Sequence, residues 1–231
     1  MSKYTHIFFD LDRTIWDFDA STMDSFNRMY HKYQLKERGV PSLDEFKKRY
    51  DVHNDHLWNL YRKGEMLKEV LSVQRFEMTL ADFGVVNHEI ASGMSKDHIQ
   101  LDPRKAFLMP FAIESLEYLS HKYRLHLLSN GFKEVQEQKY SIARLDRFFD
   151  TVTTSEEAGI KKPEPGIFKY ALQKAGCTVG ESLMVGDDLE VDIKGAGNVG
   201  MDQVYYNTNG DEHDAEVTYE ICSLKELQKI L

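Results

Sequence analysis

Cysteine is nearly missing from this sequence. Its 231 residues hold two, Cys177 and Cys222, with no CxxC pair. One disulfide is the most they could form, and two free thiols in a reducing compartment fit better. Long apolar runs are missing as well, since nothing approaches the ~20 residues of a membrane span. The opening MSKYTHIFFDLDRT breaks its short apolar stretch with Asp, so it lacks the apolar region and small-residue cleavage site of a signal peptide. Both absences point to a cytoplasmic protein with no membrane partner. Basic charge is also short: 29 Lys and Arg face 38 Asp and Glu, for a net charge of −9. That balance disfavours a nucleic-acid polymer as partner. It leaves room for a small anion held by a metal ion or a few placed cations.

What is present is a foldable chain. Apolar residues make up 42% and aromatic residues 12%, enough for a core and against disorder. A first strand is expected at Thr5–Phe9. Helical periodicity then runs from about Ser21 to Gln100. Within it Ser42 and Glu45 form a capping box. The stripe Phe46, Tyr50, His53, Leu57, Leu60 follows until Gly64 breaks it, and a second amphipathic run stops at Gly84. Past Pro103 short apolar runs (YRLHLLSNG, FDTVTTSEE, SLMVGDD, DQVYYN) alternate with helices expected at Lys133–Arg144, Pro165–Ala175 and Val191–Asn198. A polar loop, NTNGDEHDAEV, precedes a last strand and helix. Alternating strands and helices imply a parallel sheet. The expected architecture is α/β, with residues 1–15 and 106–231 as the core and 16–105 as a helical insert.

Ligands of open parallel sheets bind beyond the carboxyl ends of the strands. Four such ends carry DLDRT, SNG, GIKKPEP and GDDLEVD. They bring Asp10, Asp12, Ser129, Lys162, Asp187, Asp188 and Asp192 to one rim. Crowded carboxylates repel unless a cation shares the site. Oxygen ligands without His or Cys suit Mg²⁺. A lysine and a hydroxyl beside it can cradle phosphate oxygens, while one carboxylate attacks and another carries the proton. Each segment alone has a plainer reading: SNG as a turn, KKPEP as a helix entry, GDD as an exposed loop. Four in order, each at a strand end, read as metal-assisted phosphoryl transfer.

The segments DLDRT, LLSNG, IKKPEP and VGDDLEVD resemble, in this order, the four motifs of the haloacid dehalogenase-like (HAD) hydrolase superfamily. The resemblance implies a Rossmann-like core with a helical cap inserted after the first strand. It implies that Asp10 is the nucleophile forming an aspartyl-phosphate and Asp12 the acid/base. Ser129 and Lys162 would hold the phosphoryl group, and Asp187 would join Asp10 and the Asp12 carbonyl around Mg²⁺. Asn130, Asp188 and Asp192 would support the metal or Lys162. The dehalogenating branch lacks the second acid and needs no metal, so Asp12 favours a phosphatase. A phosphomutase would keep Asp12, whereas the DKTGT of transport ATPases is absent.

Longer stretches, among them DRTIWDF, NDHLWNLYRKGE, LLSNGFKEVQEQK and MVGDDLEVDIKGAGNVGMDQVYYN, are similar to bacterial house-cleaning pyrimidine 5′-nucleotidases. That similarity implies substrates such as dUMP, UMP and dTMP. The rival is a phosphatase or mutase for small sugar phosphates, which would differ only in the cap. Arg13 stands where those nucleotidases carry Asp. Trp16 and Phe18 are candidates to stack on a base or to pack the hinge. Asn54, Trp58 and Arg75 are candidates to read it from the cap. His53 and His56 sit three apart without a third ligand, which argues against a metal. The small-molecule phosphate ester is the expected partner of a monomer or homodimer.

Overall fold

The strand at the centre of the sheet is the apolar run that opens the chain. In the computed structural model, residues 3–100 and 105–231 are described. β1 spans His6–Phe9, and its four side chains are all buried. Next come helices α1 (Phe18–Lys32), α2 (Leu43–Arg62), α3 (Lys68–Ala81) and α4 (His88–Ile99). After them lie α5 (Ala112–Ser120), β2 (Arg124–Ser129), α6 (Lys133–Ile142), β3 (Phe149–Thr154), the single turn α7 (Ser155–Ala158) and α8 (Pro165–Ala175). The chain ends with β4 (Ser182–Gly186), a π-type turn at Leu189–Ile193, α9 (Lys194–Gly197), β5 (Asp202–Tyr206), β6 (Tyr219–Ile221) and α10 (Leu227–Ile230).

The six strands form one parallel sheet in the order β3-β2-β1-β4-β5-β6. β1 and β4 are buried along their whole length, as expected of strands covered on both faces. Phe8, Leu128 and Met184 pack on one face against Ile167, Phe168 and Ala171 of α8. Each such burial contributes about 1.5–3 kcal/mol relative to exposure. The strand order reverses between β1 and β4, and the crevice above that reversal is where open α/β sheets bind ligands.

Two compact units make up the chain, residues 1–18 with 103–231 and residues 19–102. The division lies three residues from the expected one at each crossing. Its cause is the pairing of Asp17 N with the Phe107 carbonyl and of Met109 N with the Ile15 carbonyl, which keeps 16–18 and 107–109 in the sheet unit. The second unit contains α2, α3, α4 and most of α1 around Phe26, Phe46, Tyr50, Phe76 and Leu80. Ser42 caps α2 by accepting from Glu45 N at 3.2 Å. The buried stripe of α2 is Phe46, Tyr50, Asn54, Leu57, Tyr61. His53 and Leu60 flank it rather than belong to it. His53 instead bonds Asp82 at 2.9 Å, and His56 is exposed. No helix among the described residues is long and apolar enough to cross a membrane.

Candidate active site

β1 ends at Phe9, and the next peptide continues the ladder through Asp10 N bonding the Val185 carbonyl at 2.9 Å. This fixes Asp10 at the strand reversal. The loop then folds back on itself. Ile15 N and Trp16 N both donate to the Leu11 carbonyl, and Arg13 N donates to the Trp16 carbonyl at 2.7 Å. Arg13 takes a left-handed conformation at φ 62° to make this turn. The turn sends Asp10 and Asp12 in different directions.

Asp10 is buried, and its Oδ1 accepts from Lys162 Nζ at 2.6 Å. The same ammonium donates to Asp192 Oδ1, also at 2.6 Å. Lys162 is 1% exposed, so this cation lies between two carboxylates with almost no water. Burial alone would pull its pKa down, but Asp10 and Asp192 outweigh that and hold it above the ordinary lysine value. Asn130 fixes the lysine from below: its Nδ2 donates to the Lys162 carbonyl at 2.9 Å and its Oδ1 accepts from Lys162 N at 2.8 Å. Glycine is required at 186, because a Cβ there would land on the Asp192 carboxylate.

Asp187 follows β4 and accepts from Thr14 Oγ1 at 3.2 Å. Carboxylate oxygens of Asp10, Asp187 and Asp192 lie within 4.8 Å of one another. Burial raises all three acids, and neighbouring carboxylates add to it, for Asp192 that of Asp188. Asp10 is pushed up to about 7, with Lys162 opposing, and Asp187 to about 8, with Arg13 opposing. Three acids with one lysine leave excess negative charge, which a hard divalent cation would neutralise. The site residues therefore fit such an ion. Asp188 points elsewhere and caps the π-type turn, accepting from Glu190 N and Val191 N at 3.0 Å each.

Asp12 is outside this carboxylate cluster. Its Oδ2 accepts from Gln136 Nε2 at 2.7 Å, and its Oδ1 pairs with Lys139 Nζ. Gln136 Nε2 also donates to Ser129 Oγ at 2.8 Å, and Gly131 N donates to the same oxygen at 3.1 Å. With two donors already on its oxygen, the Ser129 hydroxyl has its own proton to give to an incoming anion. Gln136 and Lys139 escaped sequence reasoning, as did Thr14. The available signal was the spacing of Gln136 and Lys139, which places them on one face of the helix that follows SNG.

The base-reading candidates fall in both units, Trp16 and Phe18 in the sheet unit and Asn54, Trp58 and Arg75 in the helical one. Trp16 is fully buried and edge-on to Phe107 at 6.0 Å. Phe18 is partly exposed, with Arg13 4.6 Å from its ring centroid. In the helical unit Asn54 and Arg75 are both buried and bond each other, Arg75 Nη1 to Asn54 Oδ1 at 3.2 Å. Arg75 also lies 5.7 Å from the Tyr50 ring and 5.4 Å from that of Phe76. Trp58 is half-buried and edge-on to Tyr61 at 5.4 Å.

The model of the haloacid dehalogenase-like hydrolases matches residues 7–206. The chain belongs to that family. It is 30% identical over 236 residues to the pyrimidine 5′-nucleotidase YjjG of Escherichia coli, covering 99% of this chain and 98% of that protein. It is 28% identical over 239 residues to the glyceraldehyde 3-phosphate phosphatase of Methanothermobacter thermautotrophicus, covering 96% and 98%. Among solved structures, magnesium-bound YfnB of Bacillus subtilis superposes with a TM-score of 0.88 at 25% identity, covering 99% of both chains. The protein is thus a hydrolase of the HAD phosphatase type.

Proposed function

We propose that this hydrolase is a Mg²⁺-dependent phosphatase of nucleoside 5′-monophosphates, with pyrimidine nucleotides such as dUMP, UMP and dTMP as substrates. The observation that carries the chemistry is the separation of Asp10 from Asp12. Two carboxylates two residues apart occupy unlike environments, and such pairs divide acid, base and nucleophile between them. Asp10 is the nucleophile. One of its oxygens bonds to phosphorus as the ester P–O bond breaks, and the electron pair leaves with the alcohol oxygen. Asp12 gives that oxygen a proton. In the second half Asp12 takes a proton from water, the water oxygen bonds to phosphorus, and the Asp10–phosphorus bond breaks to release phosphate. Ser129 donates its hydroxyl to the phosphoryl group, and Lys162 supplies a fixed positive charge beside Asp10. Asn130, Asp188 and Asp192 hold these groups in place.

Asp10, Asp187 and the Asp12 main-chain carbonyl would hold the Mg²⁺, which supplies positive charge against the phosphate oxygens. Oxygen ligands suit it, and the uncompensated acids need it. The nucleotide assignment leans on the whole-length similarity to a pyrimidine 5′-nucleotidase and on the cap segments that share it. Similarity of nearly equal strength to a triose-phosphate phosphatase favours small sugar phosphates as the second reading. A cytoplasmic monomer or homodimer completes the proposal.

The test is phosphate release with Mg²⁺ across dUMP, UMP, dTMP, purine monophosphates, and triose and hexose phosphates, ranked by kcat/KM. A lead of more than about tenfold for the pyrimidine nucleotides, over 1.4 kcal/mol of transition-state discrimination, is expected. A lead for the sugar phosphates overturns the substrate and leaves the chemistry standing.

A further inference from the structure

Lys139 sits on α6, 127 residues along the chain from Asp12, yet it is 4% exposed and pairs with that acid. Its Nζ lies 5.9 Å from the Trp16 ring centroid and 5.4 Å from that of Phe18. A lysine loses much rotamer freedom and hydration on burial. Such a residue stays in place when a carboxylate compensates it, as Asp12 does here. One helical turn earlier Gln136, 3% exposed, holds the other Asp12 oxygen. The acid is therefore gripped at both oxygens from one face of α6.

We infer that Lys139 is a positioning residue, which together with Gln136 holds the Asp12 carboxylate where it meets the leaving-group oxygen. This deepens the proposed reaction and rests on that reading. The grip does not block proton transfer. A carboxylate offers about four lone-pair sites, and the two donors use one on each oxygen. Without the grip, the half-buried Asp12 side chain can rotate among its rotamers. A general acid must lie within about 2.6–3.2 Å of the atom it protonates. Lys139 does not touch the reacting atoms in this scheme, whereas Gln136 also touches Ser129 and so mixes two effects. Lys139 is therefore the residue to vary.

The experiment compares two esters on the same enzyme preparation with Mg²⁺. p-Nitrophenolate leaves readily without a proton; benzyl alcohol leaves only when its oxygen is protonated. Correct placement of a general acid contributes about 10²–10⁴-fold for a leaving group that needs it. Lys139→Met is expected to lower kcat/KM for benzyl phosphate at least about tenfold more than for p-nitrophenyl phosphate, and Lys139→Arg is expected to recover most of that selective loss. Partial unfolding scales both esters alike and leaves their ratio untouched, and the arginine variant decides the matter should the methionine variant not fold. An equal fall for both esters, or an arginine variant no better than methionine, overturns the positioning role. If the unaltered enzyme frees phosphate from the aryl ester and yet its variants show no selective loss, only this inference fails. If the unaltered enzyme frees phosphate from neither ester, the phosphatase reading fails with it.

Discussion

Replacing Lys162 with Met should remove the cation that lies between Asp10 and Asp192, both of which it contacts at 2.6 Å. The side chain is 1% exposed, Asp192 is 1% exposed and Asp10 is 7% exposed, so water cannot take over the lost contacts. Breaking a buried ion pair by deleting one partner costs about 3–5 kcal/mol, because the remaining charge is left uncompensated. Here two carboxylates are left facing each other, which puts the expected loss at the upper end, about 4–5 kcal/mol. The cause is repulsion rather than lost packing, since Met fills nearly the same volume. A second change should therefore relieve it: Lys162→Met with Asp192→Asn is expected to recover about half of the loss. Urea unfolding in the presence of a chelator, so that no divalent ion replaces the ammonium, measures both. Trp16, fully buried in the sheet unit, reports the transition in a Trp58→Phe background. Neither variant should turn over substrate well, with a fall of about 10²–10³ for loss of a transition-state donor. A Lys162→Met protein within about 1 kcal/mol of the unaltered chain refutes the reasoning. So does a double variant less stable than the single one, because the acids would then not be repelling each other.

Two further outcomes follow from the geometry. Added Mg²⁺ should raise the melting temperature of the chain, since a ligand that binds only the folded state stabilises it by mass action; Asp187→Asn should abolish that rise and the activity together, and a retained rise would remove Asp187 from the ion's ligands. At the opposite end of the strands, burial lowers the pKa of His126 to about 4, with His6 beside it lowering it further. The unfolded chain then binds the proton first, so this residue's share of stability, about 3 kcal/mol, is present above pH 6.5 and is lost as pH falls toward 4. A His126→Gln variant should show a shallower loss over that window in urea unfolding, and an identical slope would contradict the assignment.

Much of the sheet unit could be read in advance because its strands announce themselves twice. β1, β2 and β4 are mostly apolar, and each stops at polar residues that the sheet has no use for in packing. Helices α2 and α3 were legible from periodicity, and Ser42 marked the start of α2. The period was followed imperfectly: Asn54 and Tyr61, not His53 and Leu60, complete the buried stripe of α2. Hydrophobicity alone misassigned them, because Asn54 is buried through its bond to Arg75, a partner on another helix. The end of the core was blurred in the same way. A helix expected at Val191–Asn198 begins instead as a π-type turn capped by Asp188.

The grip on Asp12 shows most plainly what one-dimensional reading misses. Asp12 and Lys139 are 127 residues apart, and nothing about either position in the chain names the other. Local pattern gives the face a side chain occupies, whereas a partner across the fold is decided by how the crossover helix lands on the sheet. The same reasoning separates chemistry from substrate. In the proposed reaction Asp10, Ser129, Lys162 and Asp187 all address the phosphoryl group, which every phosphate monoester shares. A site built from them fixes the reaction and is indifferent to what the phosphate is attached to. Discrimination must come from groups that meet the leaving alcohol. Trp16, Asn54 and Arg75 are buried in this structure, whereas Phe18 and Trp58 are the candidates with exposed surface. Substituting each with Ala and repeating the substrate ranking separates them: the residue that reads the base compresses the preference among nucleotides, while one that only packs lowers every kcat/KM by the same factor.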